Sequence, residues 1–351
     1  ASPHWARPSC PHRLTICRRA GPTGGQIRKG RFLACVERRE RHAAARFGDA
    51  SSTKSVKPTY GQCVVSPVRA ISEDEIAVYR EYGVAKLSGL VALDLVEEMR
   101  VALDEHVANP GQWVTDAGFR SQRCFGLGDP LLRGYLLDPV LGENAARAMG
   151  SPTANFFFDH MFLFEPDTPI DGHYWHQDLP FWPVDGDHVV SVWLSLYDCE
   201  PESAALKFVP GSHRERRFYR PLGFDGSPMT GDLGDRAELA IDARSQFFDH
   251  AAPAFHEDPE THGVREFSYL AGDAVIFNTR TVHSSGGNNS PDQRRLAYST
   301  RFIGDDARMM LRQGVFQDPA LLPDPDEHFA VGAPMRSRRW PRVYPMTSGD
   351  E

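Results

Sequence analysis

Three residues from two distant segments have the types and spacing of a metal site. His176 and Asp178 are two residues apart in the aromatic segment 173–182. On an extended chain such side chains point to the same side, so the imidazole and the carboxylate can converge on one ion. We assign the third ligand to His283, which follows the apolar run 273–278. Two His and one carboxylate on one face of a metal leave the opposite positions open, which is typical of non-haem Fe(II) oxygenases.

The remaining histidines fit a ligand role less well. Three of them lie in a loop rich in Gly and Asp with no apolar strand before them: His250, His256 and His262. His213 belongs to a turn, where we expect its ring to bond backbone groups. We expect His160 and His173 to be structural, or to support the metal ligands without binding the metal. Zinc accepts the same ligand types with one position open, so a zinc hydrolase is an alternative interpretation of the three ligands.

Composition limits the classes of function. The formal net charge is −8 over 351 residues, which does not favour nucleic acid as a partner. No apolar run approaches the length of a membrane span. The six cysteines contain no close C-x-x-C pair, so we expect no disulfide framework and a reducing compartment, the cytoplasm.

The first 68 residues do not have the composition of a folded domain. Many arginines are set there among Gly, Pro, Ser and Ala, and acidic residues are few. Such a composition is consistent with a disordered extension or with an Arg-rich organelle transit segment. The second interpretation would move the expected localisation from the cytoplasm to an organelle.

Local signals predict four helices followed by many short strands. Ser72 and Glu75 form a capping box, and Pro130 and Pro139 suit the first turns of two later helices. The predicted helices cover residues 72–82, 91–107, 130–137 and 139–149. The predicted strands cover residues 84–87, 155–164, 188–197, 206–209, 266–270, 273–278 and 295–303.

This pattern predicts an α+β, mainly β fold, in which a double-sheet jelly roll carries the helices on its outside. We place the domain at residues 69–311 and its jelly-roll core at about 154–303. Residues 214–263 form a long irregular segment, which is either a lid or binding loop or a poorly ordered excursion. Residues 312–351 are an irregular extension that we expect to pack on the domain.

The segments around the candidate ligands resemble a known family. Residues 175–180 (WHQDLP), 205–213 (ALKFVPGSH) and 272–277 (GDAVIF), with His283 and Arg294 downstream, are similar to motifs of the phytanoyl-CoA dioxygenase (PhyH) family. Members are Fe(II)- and 2-oxoglutarate-dependent oxygenases built on a double-stranded β-helix, a cupin-like jelly roll. The resemblance covers about residues 71–310. It departs from the family pattern at Ser203-Ala204, Glu165 and Asp159, where the family has Asn-Gly, Lys and Gln.

The resemblance implies roles for further residues. It places the arginine that binds the far carboxylate of 2-oxoglutarate at Arg294, because a guanidinium forms a charged fork suited to a carboxylate. Arg295 would then face the opposite side of the strand. Ser285 would add a hydroxyl to the same carboxylate. Trp193 would line the co-substrate pocket, or else serve as a core aromatic residue.

Two more residues are candidates for contact with the substrate. Trp182, six residues after His176, is expected to cover the iron or the substrate. Asp159 is a carboxylate on a buried strand, where an unpartnered charge is costly. It is expected either to reach the pocket or to make a structural hydrogen bond.

The implied function is oxygenation of a small or medium organic metabolite. The resemblance implies Fe(II), 2-oxoglutarate and O2 as cofactors, release of succinate and CO2, and hydroxylation of a C–H bond. Desaturation, cyclisation, epimerisation and a non-catalytic metal-binding jelly roll are the alternatives. Asp178 disfavours halogenation, because related halogenases have a small residue there. We expect a small-molecule substrate, no nucleic-acid or membrane partner, and a monomer or homodimer.

Overall fold

A computed structural model describes most of the chain from residue 66 onward. The described ranges are 66–111, 114–116, 119–170, 174–215, 217–222, 251–311 and 321–346. Predictions for residues 1–65, for His173 and His250, and for parts of 214–263 and 312–351 lie outside these ranges.

Four helices and thirteen strands are present in the described ranges. The helices are α1 (Glu73–Tyr82), α2 (Leu93–Ala108), α3 (Pro130–Leu136) and α4 (Pro139–Met149). The strands are β1 (Val84–Leu87), β2 (Val114–Asp116), β3 (Arg120–Arg123), β4 (Ala154–Phe164), β5 (Val184–Asp185), β6 (Val189–Ser195), β7 (Leu206–Phe208), β8 (Arg265–Glu266), β9 (Ala274–Asn278), β10 (His283–Ser285), β11 (Arg295–Ile303), β12 (Arg308–Met309) and β13 (Arg342–Tyr344).

Side-chain caps define the helix ends that the sequence predicts. The Ser72 hydroxyl accepts from the Glu75 backbone N–H, and the Glu75 carboxylate accepts from the Ser72 N–H, which completes the capping box. Gly83 ends α1 in the left-handed conformation at φ 72°, where a side chain would also collide with His213. The carboxylates of Asp129 and Asp138 each accept two backbone N–H groups at the starts of α3 and α4.

Helix α2 packs one face against the core. Its buried side chains are those of Val96, Met99, Ala102 and Leu103, and the partly buried Leu95 packs against the same core. The helix begins at Leu93, two residues later than predicted, and Val91 before it forms a β-bridge with Val68.

The strands form a large sheet and a small sheet, as predicted for a jelly roll. The large sheet is antiparallel in the order β1-β9-β6-β11-β4-β3-β2, and β13 also pairs with β4. The small sheet has the order β10-β7-β8, and β5 pairs with β12. The predicted fold class, a mainly β double-stranded β-helix with helices outside, is confirmed.

Successive side chains on the central strands point to opposite faces of the large sheet, and both faces are buried. On β6, Val190, Val192 and Leu194 belong to the core shared with the helices. Ser191 and Trp193, between them, face the other way, into the space between the two sheets. The helices thus cover one face of the sheet, and the other face is available to form a site.

One strand is shorter than predicted. Strand β8 covers only Arg265–Glu266, and Tyr269 then contributes an isolated bridge to Cys199 in place of the continuous strand expected over 266–270. In the C-terminal stretch, Leu321, Leu322 and Trp340 are buried with Phe157 and other residues of the sheet.

Within the ranges described, no helix is both long and apolar enough to cross a membrane.

Candidate metal and co-substrate site

His176, Asp178 and His283 come together between the two sheets. Their nitrogen and oxygen ligand atoms all lie within 4.8 Å of one another. Asp178 Oδ1 is 3.8 Å from Nε2 of His176 and 3.8 Å from Nε2 of His283. Within the described part of the chain, this is the one cluster of three such groups close enough to share an ion.

Backbone pairing places the two imidazoles side by side. His176 and His283 exchange two backbone hydrogen bonds of 2.9 Å each, so the segment around His176 extends the small sheet beyond β10. The extended geometry predicted for His176 is therefore present. Asp178 is different, because its backbone is helical (φ −68°, ψ −44°) at the start of a 3-10 turn over Leu179–Phe181. That turn, and not alternation along a strand, brings its carboxylate to the histidines.

Backbone carbonyls orient both rings for metal binding. Nδ1–H of His176 donates to the Tyr174 carbonyl at 2.8 Å, and Nδ1–H of His283 donates to the Thr281 carbonyl at 3.0 Å. A carbonyl only accepts, so each Nδ1 carries the proton and each Nε2 presents its lone pair. Burial, with a smaller contribution from His176, lowers the pKa of His283 to about 4. The His283 ring is therefore neutral at pH 7, as a metal ligand must be.

The carboxylate of Asp178 is oriented by a hydroxyl of the large sheet. The Ser191 hydroxyl on β6 donates to Asp178 Oδ2 at 2.9 Å, which leaves Oδ1 directed at the two imidazoles. Two neutral imidazoles and one carboxylate are the donor set expected for non-haem Fe(II). The residues present therefore fit an iron ion, which they would hold at the edge of the adjoining cavity.

The three ligands border a largely aromatic cavity of about 330 Å³. This volume is at the lower end of the range for ligand pockets, which suits a co-substrate together with a small metabolite or the reacting end of a larger one. Six aromatic residues from different parts of the fold form much of its wall: Phe119, Phe164, Phe181, Trp182, Trp193 and Phe277. We call this space the central cavity.

Of the two neighbouring arginines, Arg295 enters the central cavity and Arg294 lies outside it. The Arg295 side chain is 2% exposed, and its guanidinium lies 4.4 Å from the Phe164 ring centroid. Arg294 instead pairs with Asp104 on α2 and lies over the ring of Tyr197. The predicted strand register was therefore off by one residue, since β11 begins at Arg295 and directs that side chain inward.

The hydrogen bonds that Arg295 makes with the described residues do not use all of its N–H donors. One terminal nitrogen donates to the Ala204 carbonyl, while Nε and Nη1 have no hydrogen-bond partner among the described residues. Burial lowers the pKa of Arg295 to about 10, so the guanidinium still carries its charge at pH 7. A buried cation with two unused donors is matched to an anion that enters the cavity.

Three other predicted residues also line the central cavity. Trp193 lies 5.5 Å from the Arg295 guanidinium, and Ser285 borders the same space from β10. Trp182 packs against Phe158 near the metal ligands, with 5.1 Å between the ring centroids. The cavity therefore contains every predicted site residue except Arg294 and Asp159.

Asp159 faces away from the cavity. Its Oδ2 accepts from the Gly126 N–H at 3.1 Å, from the Phe125 N–H at 3.4 Å and from the Tyr298 hydroxyl at 3.0 Å. Alternation along β4 explains this placement, because His160 and the residues two and four further on line the cavity. Of the two interpretations of Asp159, the structural hydrogen bond is correct.

Sequence reasoning missed several residues of the site. Ser191 was unremarkable as a serine in an apolar strand, yet it holds the Asp178 carboxylate. Arg301 lines the cavity together with Arg123 and His160. Arg301 lies an even number of residues after Arg295 on the same strand, so the predicted register that put Arg294 in the pocket directed Arg301 away from it.

The family profile of phytanoyl-CoA dioxygenase (PhyH) matches residues 79–296, well over half of the chain. The chain belongs to this family. The predicted resemblance is thereby confirmed, and membership makes the chain an oxidoreductase. The matched range contains all three candidate metal ligands and Arg295.

Curated relatives and solved structures agree with the PhyH assignment. The ectoine dioxygenase of Bordetella bronchiseptica is 25% identical over 235 residues, which cover 63% of this chain and 72% of that protein. The crystal structure of the non-heme alpha-ketoglutarate-dependent carbocyclase SnoK, from nogalamycin biosynthesis, has a TM-score of 0.58 and 23% identity, and the match covers 78% of this chain and 96% of SnoK. EctD from S. alaskensis, with 2-oxoglutarate and 5-hydroxyectoine, has a TM-score of 0.54 and 19% identity, over 77% and 92%. At these identities the two structures establish a shared fold.

Proposed function

We propose that this PhyH-family chain is a non-haem Fe(II)- and 2-oxoglutarate-dependent dioxygenase that hydroxylates a small or medium organic metabolite. The observation that carries the proposal is the convergence of His176, Asp178 and His283 at a cavity that also receives the buried, charged Arg295. A metal triad alone would also suit zinc. A buried cation in the same cavity is what a dicarboxylate co-substrate requires.

In this proposal each protein group has a defined task. His176, Asp178 and His283 hold Fe(II), which supplies activation of O2 with oxidative decarboxylation of 2-oxoglutarate when it is bound. Arg295 binds the far carboxylate of the co-substrate through its two unused donors, and Ser285 adds a hydroxyl. Ser191 keeps Asp178 Oδ1 directed at the ion.

The aromatic wall orients the substrate and keeps water away from it. Trp182 and Phe181 lie beside the ligands, with the Phe181 ring centroid 5.6 Å from that of His176. An apolar wall that excludes water favours reaction with the positioned carbon over side reactions with water. Asp178 occupies the third ligand position, which supports hydroxylation over halogenation.

The type of reaction at the substrate carbon is the more specific part of the proposal. The EctD structure contains 5-hydroxyectoine, whereas SnoK is named a carbocyclase, and this chain shares its fold with both. A fold supports several outcomes, so hydroxylation is proposed as the simplest one. A cytoplasmic location and a monomeric or homodimeric state stay predictions.

Oxygen-dependent formation of succinate tests the proposal. Purified protein would receive Fe(II), 2-oxoglutarate and air, with and without a panel of small metabolites, and succinate would be quantified. We expect succinate from the wild type and none from Asp178→Ala, with a folded variant verified by circular dichroism. Equal succinate from the two proteins, or hydrolytic activity with Zn(II) in place of Fe(II), would overturn the proposed function.

A further inference from the structure

A second buried arginine lines the central cavity beside the metal ligands. Arg301 on β11 is 4% exposed, and the Arg301 Nη1 donates to the Ser299 carbonyl at 3.3 Å. Its Nε is buried and has no hydrogen-bond partner within the described ranges. The ring centroids of Phe158 and Trp182 lie 4.8 and 5.5 Å from its guanidinium carbon. A buried cation held by rings and by one weak hydrogen bond is poorly compensated for the loss of water.

Two further basic side chains share this part of the cavity. Arg123 on β3 lies directly opposite His160 on β4, and His160 lies opposite Ser299, which is two residues before Arg301. All three basic residues line the cavity. The buried His160 Nε2 has no hydrogen-bond partner in the described part of the chain. Burial, and then the charges of Arg301 and Arg123, hold the pKa of His160 well below its usual range.

The charges around the cavity do not balance once the proposed cofactors are in place. Among the described residues that line it, the one carboxylate is that of Asp178. Fe(II), Asp178, a 2-oxoglutarate dianion and Arg295 together carry no net charge. The positive charge of Arg301 remains, on the strand next to the one that carries Ser191.

Arg301 lies close to the candidate metal ligands. Across the large sheet, Arg301 lies opposite Ser191, whose hydroxyl donates to Asp178. A group bound by Arg301 would therefore lie beside the iron and apart from Arg295, which is six residues earlier on the same strand. The cavity provides separate cations for the co-substrate and for a second anion.

We propose that the prime substrate carries an oxyanionic group, a carboxylate or a phosphate, that binds to Arg301 and His160 beside the metal. This inference rests on the proposed function and adds the substrate class to it. The guanidinium fork supplies charged donors, and the imidazole supplies one more hydrogen bond. The apolar remainder of such a substrate packs on Trp182 and Phe181. Anchoring at the anion places a carbon a short distance from it in front of the iron.

A matched pair of probes tests the proposal without knowledge of the natural substrate. Cyclohexanecarboxylate and its neutral amide have the same shape and differ in charge. Their binding to anaerobic enzyme loaded with Fe(II) and 2-oxoglutarate would be measured by titration calorimetry, while the visible absorption of the iron-bound co-substrate is monitored. Cyclohexyl phosphate would serve as a third probe that distinguishes the two oxyanion classes.

We expect the acid or the phosphate to bind wild-type enzyme about 10-fold or more tightly than the amide, as is usual for a charged hydrogen bond. The preference should disappear in Arg301→Met and persist in Arg294→Met, which removes an arginine outside the cavity. The absorption of the iron-bound co-substrate should persist in both variants. Arg301→Lys, which keeps the charge without the fork, should retain part of the preference.

Several results would overturn the inference. They are equal affinities of charged and neutral probes for the wild type, no binding of either anion, a preference that survives in Arg301→Met, and displacement of 2-oxoglutarate by the anion. Loss of co-substrate absorption in Arg301→Met would assign Arg301 to the support of Asp178 instead. If Arg301→Met does not fold, the wild-type comparison still decides. Absence of the absorption in the wild type would count against the proposed function itself.

Discussion

Arg294 and Arg295 are neighbours in sequence and lie on opposite sides of the large sheet. Arg294 reaches outward to Asp104 on α2, and Arg295 reaches into the central cavity toward Trp193. The pair provides two arginines with nearly the same position in the chain and different environments. It therefore allows a direct comparison between an arginine in an ion pair outside the cavity and a buried arginine inside it.

Replacement of Arg295 by Gln should raise the 2-oxoglutarate concentration needed for half-maximal binding by about 10- to 100-fold, because the charged partner of the carboxylate is lost. Arg294→Gln breaks an exposed ion pair and should change it by less than about 2-fold. Anaerobic titration of the Fe(II)-loaded proteins with 2-oxoglutarate measures both. A larger effect at Arg294 than at Arg295 would contradict the assignment.

The sequence alone could not determine which of these two arginines enters the cavity. The motif placed the candidate arginine one residue before the arginine that lies in the cavity. Either register of an apolar strand buries similar side chains on both faces, so the sequence does not distinguish the two. A shift of one residue reverses every side chain. The pairing of Arg295 with Phe164, which fixes the register, joins residues that are far apart in the chain.

Ser191→Ala should lower the affinity for Fe(II) by about 10- to 100-fold, because Asp178 loses the hydrogen bond that orients it. Ser195→Ala is the matched control on the same strand. Its hydroxyl donates to the Tyr197 carbonyl, away from the metal ligands. Competition for Fe(II) with a coloured chelator compares the two variants. Equal affinities for the two would show that the Ser191 hydroxyl does not support the site.

Asp159→Asn should make unfolding less dependent on pH. All three hydrogen bonds reach the same oxygen of Asp159, so the amide oxygen of Asn can accept them without a buried charge. Burial raises the pKa of Asp159, so the folded state binds the proton more tightly than the unfolded state, where the pKa is near 3.8. The stabilising effect of protonation is then fully present below that value and is lost as the pH rises through the folded-state pKa.

Urea unfolding of both proteins at pH 7 and at pH 4.5 tests this sign. Relative to Asp159→Asn, the wild type should gain stability at the lower pH. The co-substrate affinity of the variant should equal that of the wild type, because Asp159 lies outside the cavity. A relative loss of wild-type stability at pH 4.5 would mean that the hydrogen bonds stabilise the ionised carboxylate more than burial destabilises it.

Trp340→Ala should lower the free energy of unfolding by about 3–5 kcal/mol, the usual cost of removing a large buried aromatic side chain. Trp340 is 1% exposed and packs edge-on against Phe157, with 5.6 Å between the ring centroids. Met346→Ala is the control, since Met346 is 65% exposed and should change stability by less than about 0.5 kcal/mol. A change below that limit at Trp340 would contradict structural packing by the C-terminal stretch.

Local and long-range features of the fold differ in how far the sequence predicts them. Capping at Ser72, Asp129 and Asp138 depends on a few adjacent residues, and those helix starts were predicted well. Paired metal ligands on a short motif were likewise visible. The turn at Asp178 and the hydroxyl of Ser191 depend on tertiary contacts, and no local pattern identifies them.

Anaerobic absorption spectroscopy tests the central claim most directly. Metal-free protein would be mixed with Fe(II) and then with 2-oxoglutarate in the absence of O2, and the visible spectrum would be recorded. The account predicts a charge-transfer band that needs both additions, is absent in Asp178→Ala and needs more 2-oxoglutarate in Arg295→Gln. A wild-type protein that gives no band, or a band that persists unchanged in Asp178→Ala, would contradict an iron and 2-oxoglutarate site at His176, Asp178 and His283.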